Sequence, residues 1–166
     1  MSDREIPRPR RTKAGITYSN LGQFRVHVVN DDPPPPLVLD APDSVANAWR
    51  TLVVPNPWFD PEKEHMVVFV LNTRLGLKGW NVVSVGTVNE TTCHPREVLR
   101  PVLVAAGHGL VMVHNHPSGD PSPSSADREV TTRLRNAAEI MQVRLIDHII
   151  VGSNGRYFSF REAGAV

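Results

Sequence analysis

His65 to Leu71 is a nearly unbroken apolar run, and Gly109 to Val113 is another. Both are far shorter than the ~20 residues of a membrane helix. Without polar alternation they read as strands covered on both faces. Such strands need other elements packed against them, and the sequence supplies these. Asp43 or Ser44 is placed to cap a short helix with Val45, Trp49 and Leu52 on one face, ended by Pro55 and Pro57. Asn81 to Val88 reads as a second strand. Pro95 opens a helix running to about Ala106, in which Pro101 predicts a kink or an early break. Ser124 to Met141 reads as a helix with Val130, Leu134, Ala137 or Ala138, and Met141 on its buried side. Val143 to Val151 and Arg156 to Phe160 read as strands, joined by a tight turn at Asn154-Gly155. Helices alternating with buried strands place the chain in the α/β class with a mixed sheet.

The first part of the chain is different. Arg4, Arg8, Arg10, Arg11 and Lys13 cluster around Pro7 and Pro9, and Phe24 to Val28 alternates like one short strand. Pro33 to Pro36 can join neither a helix nor a central strand, so they read as an extended linker. The expected organisation is a basic, proline-rich arm over residues 1–42 and one domain over residues 43–166. The net charge of +1 gives no general argument for nucleic-acid binding, which leaves only a weak, salt-sensitive contact through the arm. Cys93 is the single cysteine. That excludes an intramolecular disulfide or a cysteine-rich metal site, and points to a packed, inert thiol in a reducing compartment. No apolar signal core follows Met1, so the expected location is the cytoplasm, without membrane attachment.

The chemistry is concentrated between His114 and Asp127. His114 and His116 stand two apart at the end of a strand, so both imidazoles project to one side and can reach one ion. Asp127 falls in the first turn of the following helix and can fold back to add a carboxylate oxygen. Two histidines and an aspartate suit Zn²⁺, one per chain. Three protein ligands leave a fourth position for water, whose pKa falls towards ~7 there. Ser124 and Asp127 also have the spacing of a helix capping box.

The stretch His114-x-His116, seven residues, Ser124, two residues, Asp127 resembles the JAMM motif of the JAB/MPN metallopeptidases. The longer form His114-Asn115-His116-Pro117-Ser118-Gly119-Asp120-Pro121 is similar to the RadC branch of that family, as are Leu145 to Gly152 and Tyr157 to Phe160. The resemblance implies a three-layer, cytidine-deaminase-like fold with a mixed, mostly antiparallel sheet flanked by helices. It implies a zinc metallopeptidase or isopeptidase acting on a protein or peptide substrate. It implies His114, His116 and Asp127 as metal ligands, Glu64 as general base and Ser124 as an oxyanion donor. Glu62 competes with Glu64 for the base, two residues further from the strand. Asp147 and His148 are expected to pack behind the site, and His94 to start a helix. The segments Asp60 to Glu64 and Arg74 to Trp80 are expected to flank the cleft. RadC proteins usually carry a helix-hairpin-helix-type region where this sequence has its arm. Two other roles stay open: a non-catalytic JAB-fold binding module, and a DNA-associated accessory protein. A zinc deaminase site is excluded, because it needs a Pro-Cys-x-x-Cys segment.

Overall fold

The structure, a computed structural model, describes residues 37–86 and 93–166. The basic cluster, the Phe24 to Val28 strand, the proline linker and the Val88 end of the second strand lie outside the described residues. The elements run α1 (Pro42–Ala48), β1 (His65–Leu71), β2 (Leu77–Val85), α2 (Pro95–Val104), β3 (Gly109–Asn115), α3 (Ser125–Ile140), β4 (Arg144–Val151) and β5 (Tyr157–Ser159).

The five strands form one sheet in the order β2-β1-β3-β4-β5. β3 and β4 are parallel, joined through α3, and the other neighbours are antiparallel. β1 and β3 are buried along their whole length. Side-chain alternation divides their residues between two cores. Val67, Phe69, Leu71, Val111 and Val113 pack with Val45, Trp49 and Val53 from the α1 region. Met66, Val68, Val70, Leu110 and Met112 pack with Val98 and Val102 of α2 and with Val130 and Leu134 of α3. The result is the expected α/β architecture, a mixed, mostly antiparallel sheet between helical layers.

Several local expectations need correction. The N-cap of α1 is Ala41, because Pro42 occupies the first helical position; Ser44 lies at N3, where its Oγ donates to the Ala41 carbonyl at 2.7 Å. After Ala48 the helix widens into a π-helical stretch, Trp49–Val53, closed by the Val54 amide donating to the Trp49 carbonyl at 3.2 Å. β2 begins at Leu77 instead of Asn81. The Asn72 side chain accepts from the Arg74 and Gly76 amides at 2.8 and 3.0 Å and tightens the turn, so pairing resumes at once, Leu71 to Leu77. This turn is at the opposite end of β1 from Glu64, so Arg74 and Leu75 do not flank the cleft.

α2 is not broken at Pro101 but continues to Val104. The proline lies in the last turn, where its missing amide deprives only the Glu97 carbonyl. His94 is the N-cap of α2. Met141 caps α3 and is 46% exposed, so Ala138 closes the buried side instead. The Asn154 and Gly155 φ angles of 57° and 75° form the expected turn between β4 and β5. The folded unit also reaches beyond residue 43 towards the N-terminus. Leu39 is buried in the core, its amide donates to the Leu75 carbonyl, and Val38 bridges to Gly76.

Candidate metal centre

His114 is the penultimate residue of β3, opposite Met66 of β1 and Ile150 of β4, and it is fully buried. The strand's direction persists for one more step, since the His116 amide donates to the Val151 carbonyl at 3.1 Å. The chain then turns sharply, with the Gly119 amide donating to the His116 carbonyl at 2.9 Å. Gly119 has φ of 78°, and a β-carbon there would stand 2.7 Å from Ser153 Oγ, so the turn demands glycine. The loop delivers Ser124 to the start of α3. Ser124 Oγ accepts from the Asp127 amide at 3.1 Å, while the Ser124 amide and hydroxyl donate to Asp127 Oδ2 at 2.8 and 2.6 Å. The capping box is therefore complete, and it fixes the carboxylate at the positive end of the helix.

The capping does not turn Asp127 away from the histidines. Asp127 Oδ1 lies 3.1 Å from His114 Nε2, and Oδ2 lies 3.5 Å from His116 Nε2. The two Nε2 atoms are 3.1 Å apart. Glu64, one residue before β1, places Oε1 3.5 Å from His114 Nε2. One ligand atom from each of Glu64, His114, His116 and Asp127 lies within 4.8 Å of all the others. Ligands ~2.0–2.1 Å from a tetrahedral ion stand about 3.3–3.4 Å from one another, so the spacing suits a small divalent cation. The donor chemistry fits as well. Two carboxylates and two imidazole nitrogens converge on one point, an arrangement that a cation satisfies and that mutual repulsion otherwise opposes.

A hydrogen-bond chain behind His114 fixes which of its nitrogens faces this point. Thr131 Oγ1 donates its single proton to the Asp127 carbonyl, so it must accept from His148 Nδ1 at 2.6 Å. His148 Nε2 is then an acceptor and takes the His114 Nδ1 proton at 2.9 Å. The lone pair of His114 Nε2 is left for the metal. Complete burial holds the pKa of His148 well below its ordinary 6.5 and keeps the ring neutral. Its ring also stacks on Phe160 at 4.6 Å. Burial raises the Asp127 pKa, but the neighbouring His114, His116 and Ser124 outweigh it and hold the carboxyl well below 3.8. The bond to Asp127 raises the His116 pKa against the effect of burial. His148→Ala is therefore expected to weaken metal binding about 10–100-fold. Competition against a chromophoric chelator measures this, and unchanged affinity in a folded variant would show the chain to be dispensable.

Glu64 is held by its backbone. The Asn115 amide group donates to the Lys63 carbonyl at 2.9 Å, its oxygen accepts from the His65 amide at 2.9 Å, and the Gly86 amide donates to the Glu64 carbonyl at 2.8 Å. Glu62 is exposed, with its amide bonded to Asp60 Oδ1, and it stays outside the cluster. Asp147 does not reach the metal point. Burial raises its pKa, and it accepts from Ser159 Oγ, the Arg161 amide and the His148 amide, which anchors β5 and the turn after it. Cys93 is buried, and burial followed by the charge of Glu97 pushes its thiol up to about 11, which suits an inert packing residue.

The profile of the RadC-like JAB domain matches residues 40–165. The chain belongs to this family. Similar proteins include a UPF0758 protein of Pelodictyon phaeoclathratiforme, 48% identical over 105 residues, which cover 63% of this chain and 47% of the relative. The UPF0758 protein of Thermotoga maritima is 50% identical over 103 residues, covering 62% and 46%, and that of Aquifex aeolicus is 40% identical over 108 residues, covering 65% and 46%. The chain thus spans about half the length of these relatives. Within this RadC-like domain two residues with clear structural roles, Asn115 and Thr131, escaped the sequence reading. Asn115 carried a usable signal. Between two histidines that face one way, the middle residue of a buried strand must face the other, where a polar group needs partners. Thr131 carried none, because its role depends on the distant His148.

Proposed function

We propose that the protein is a zinc-dependent hydrolase that cleaves amide bonds in a protein or peptide substrate. The observation that carries this reading is the convergence of His114, His116, Asp127 and Glu64 on one point at the edge of a buried strand. His114, His116 and Asp127 would hold the ion. When bound, zinc would supply a Lewis acid that activates water at neutral pH. Glu64, fixed by Asn115 and Gly86, would take a proton from the attacking water and return it to the leaving amine. Its side chain is 13% exposed, so it keeps a narrow contact with the solvent from which the water comes. Ser124 stands in the same corner. To donate to a developing oxyanion its hydroxyl must turn away from Asp127 Oδ2, where it now bonds. Among the described residues no helix is long and apolar enough to cross a membrane, and the working location we propose is the cytoplasm.

Protein expressed in zinc-supplemented medium is expected to carry about one zinc per chain. Removing it with a chelator should abolish cleavage of a peptide library, and adding zinc back should restore it. A folded protein that takes up no metal from such a medium would sink the reading.

A further inference from the structure

The metal point lies on the α3 side of β3. On the other side of the same strand end is a cavity of about 260 Å³. It is bounded by the carboxyl ends of the parallel pair β3 and β4, at His116 and Val151, and by the aromatic rings of Trp49 and Phe59. Crevices at the carboxyl ends of parallel strands are recurrent ligand sites in α/β proteins. The charged residues that line it are Arg50 and Arg156, with no aspartate or glutamate among the lining residues. Both arginines are exposed and neither forms a direct ion pair among the described residues, although Asp120 lies near enough to Arg156 for the guanidinium charge to help lower its pKa. Arg156 is oriented by donating from Nη2 to the Gly119 carbonyl at 3.0 Å and to Ser153 Oγ at 3.4 Å, which leaves Nη1 and Nε without a hydrogen bond among the described residues. Arg50 comes from the π-helical stretch, and its Nη1 lies 3.9 Å from where a β-carbon on Gly155 would stand. The two guanidinium side chains thus come from α1's extension and the β4–β5 turn to one mouth.

His116 connects the two sides. Its Nε2 belongs to the metal cluster, and the residue also lines the cavity. A peptide passing round the strand end at His116 would go from the metal point to the side where Trp49 and Phe59 stand. A compact space of this volume is roughly 8 Å across, and two extended residues reach ~7 Å. Guanidinium groups pair with carboxylates through parallel hydrogen bonds.

We propose that this cavity binds the carboxyl-terminal residue or two of a peptide substrate, with Arg50 and Arg156 holding the free terminal carboxylate and the aromatic wall taking an apolar side chain. The site then selects short leaving fragments with a free chain end. This inference rests on the amide-hydrolase reading of the metal centre, and the test separates the two.

The test uses the zinc-loaded full chain carrying Glu64→Gln, which binds without turnover. Acetylated tripeptides ending in Leu-Phe are titrated calorimetrically as the free acid, as the terminal amide, and as an amide whose last residue is glutamate. The free acid is expected to bind at least ~10-fold tighter than either amide, as charge-assisted pairing implies. That preference should vanish in Arg50→Gln, which removes a side chain without hydrogen bonds among the described residues, and in Arg50→Gln/Arg156→Gln. A preference that survives both substitutions would come from the metal and would overturn the subsite. Equal binding of the glutamate-ended amide would overturn the assignment to the chain end. If the arginine-dependent preference holds while the unsubstituted zinc protein cleaves none of these peptides, the subsite stands and the hydrolase reading fails.

Discussion

Glu64→Gln should give a folded, metal-loaded protein that cleaves its substrate about 10²–10⁴-fold more slowly, the range lost with a general acid–base group. Glutamine keeps the size and one acceptor oxygen of glutamate but cannot carry a proton between water and leaving amine. The fold should be indifferent to the change, because the structural bonds at this position come from the backbone: Glu64 O to the Gly86 amide, with Lys63 O and His65 N held by Asn115. Metal content decides between two roles for the side chain. Glu64 Oε1 is 3.5 Å from His114 Nε2, close enough for a fourth ligand and also for a base beside the ion. A base predicts normal zinc affinity with lost turnover. Weakened zinc affinity in step with lost turnover would make Glu64 a ligand and refute the assignment. The measurements are kcat/KM on one cleavable peptide and zinc per chain by elemental analysis.

Phe69→Ala should destabilise the domain by about 3–5 kcal/mol. Phe69 is fully buried in the middle of β1, paired with Trp80 of β2 on one side and Val111 of β3 on the other. It is among the largest side chains in the layer between the sheet and the α1 region. Deleting it removes apolar contact and leaves a void that β1 cannot close, since both its neighbours are hydrogen-bonded strands. Against a total stability of about 5–15 kcal/mol, the loss is a large fraction. Ile140→Ala, at a position 81% exposed at the end of α3, is the control and should change stability by no more than ~0.5 kcal/mol. Urea denaturation of both metal-free variants measures the difference. A Phe69→Ala loss below ~1 kcal/mol would mean that this layer is not packed as described.

What could be read from the chain was what is local. The runs that became β1, β3 and β4 announce themselves through hydrophobicity, and Asn154-Gly155 through turn chemistry. The two histidines and Asp127 lie within one short stretch, with their chemistry visible in their order. The misreadings arise where a local signal competes with a neighbour. Asp43 and Ser44 are good caps, but Pro42 claims the first turn ahead of them. Leu77 to Trp80 looks unlike a strand because Lys78 and Gly79 interrupt it, yet the Asn72 turn brings the segment straight against β1. Pro101 breaks helices when it stands in the interior, and here it stands in the final turn. The rest was illegible for a different reason. Asn115 finds its partners 50 and 52 residues away, Thr131 bonds to His148 across 17, and Arg50 meets Gly155 only through the tertiary fold.

His114, Asn115 and His116 are consecutive, yet they serve opposite sides of the sheet. Two rings look towards α3, and the amide between them looks away to grip the segment carrying Glu64. Threading β3 one place out of step would exchange these directions, presenting the amide to the ion and the rings to the wrong layer. Ligand set and tether would be lost in a single error, with no intermediate that keeps half of each. Tight uptake of metal by this chain would therefore double as a proofreading signal: a molecule that captured the ion would have aligned its central strand correctly.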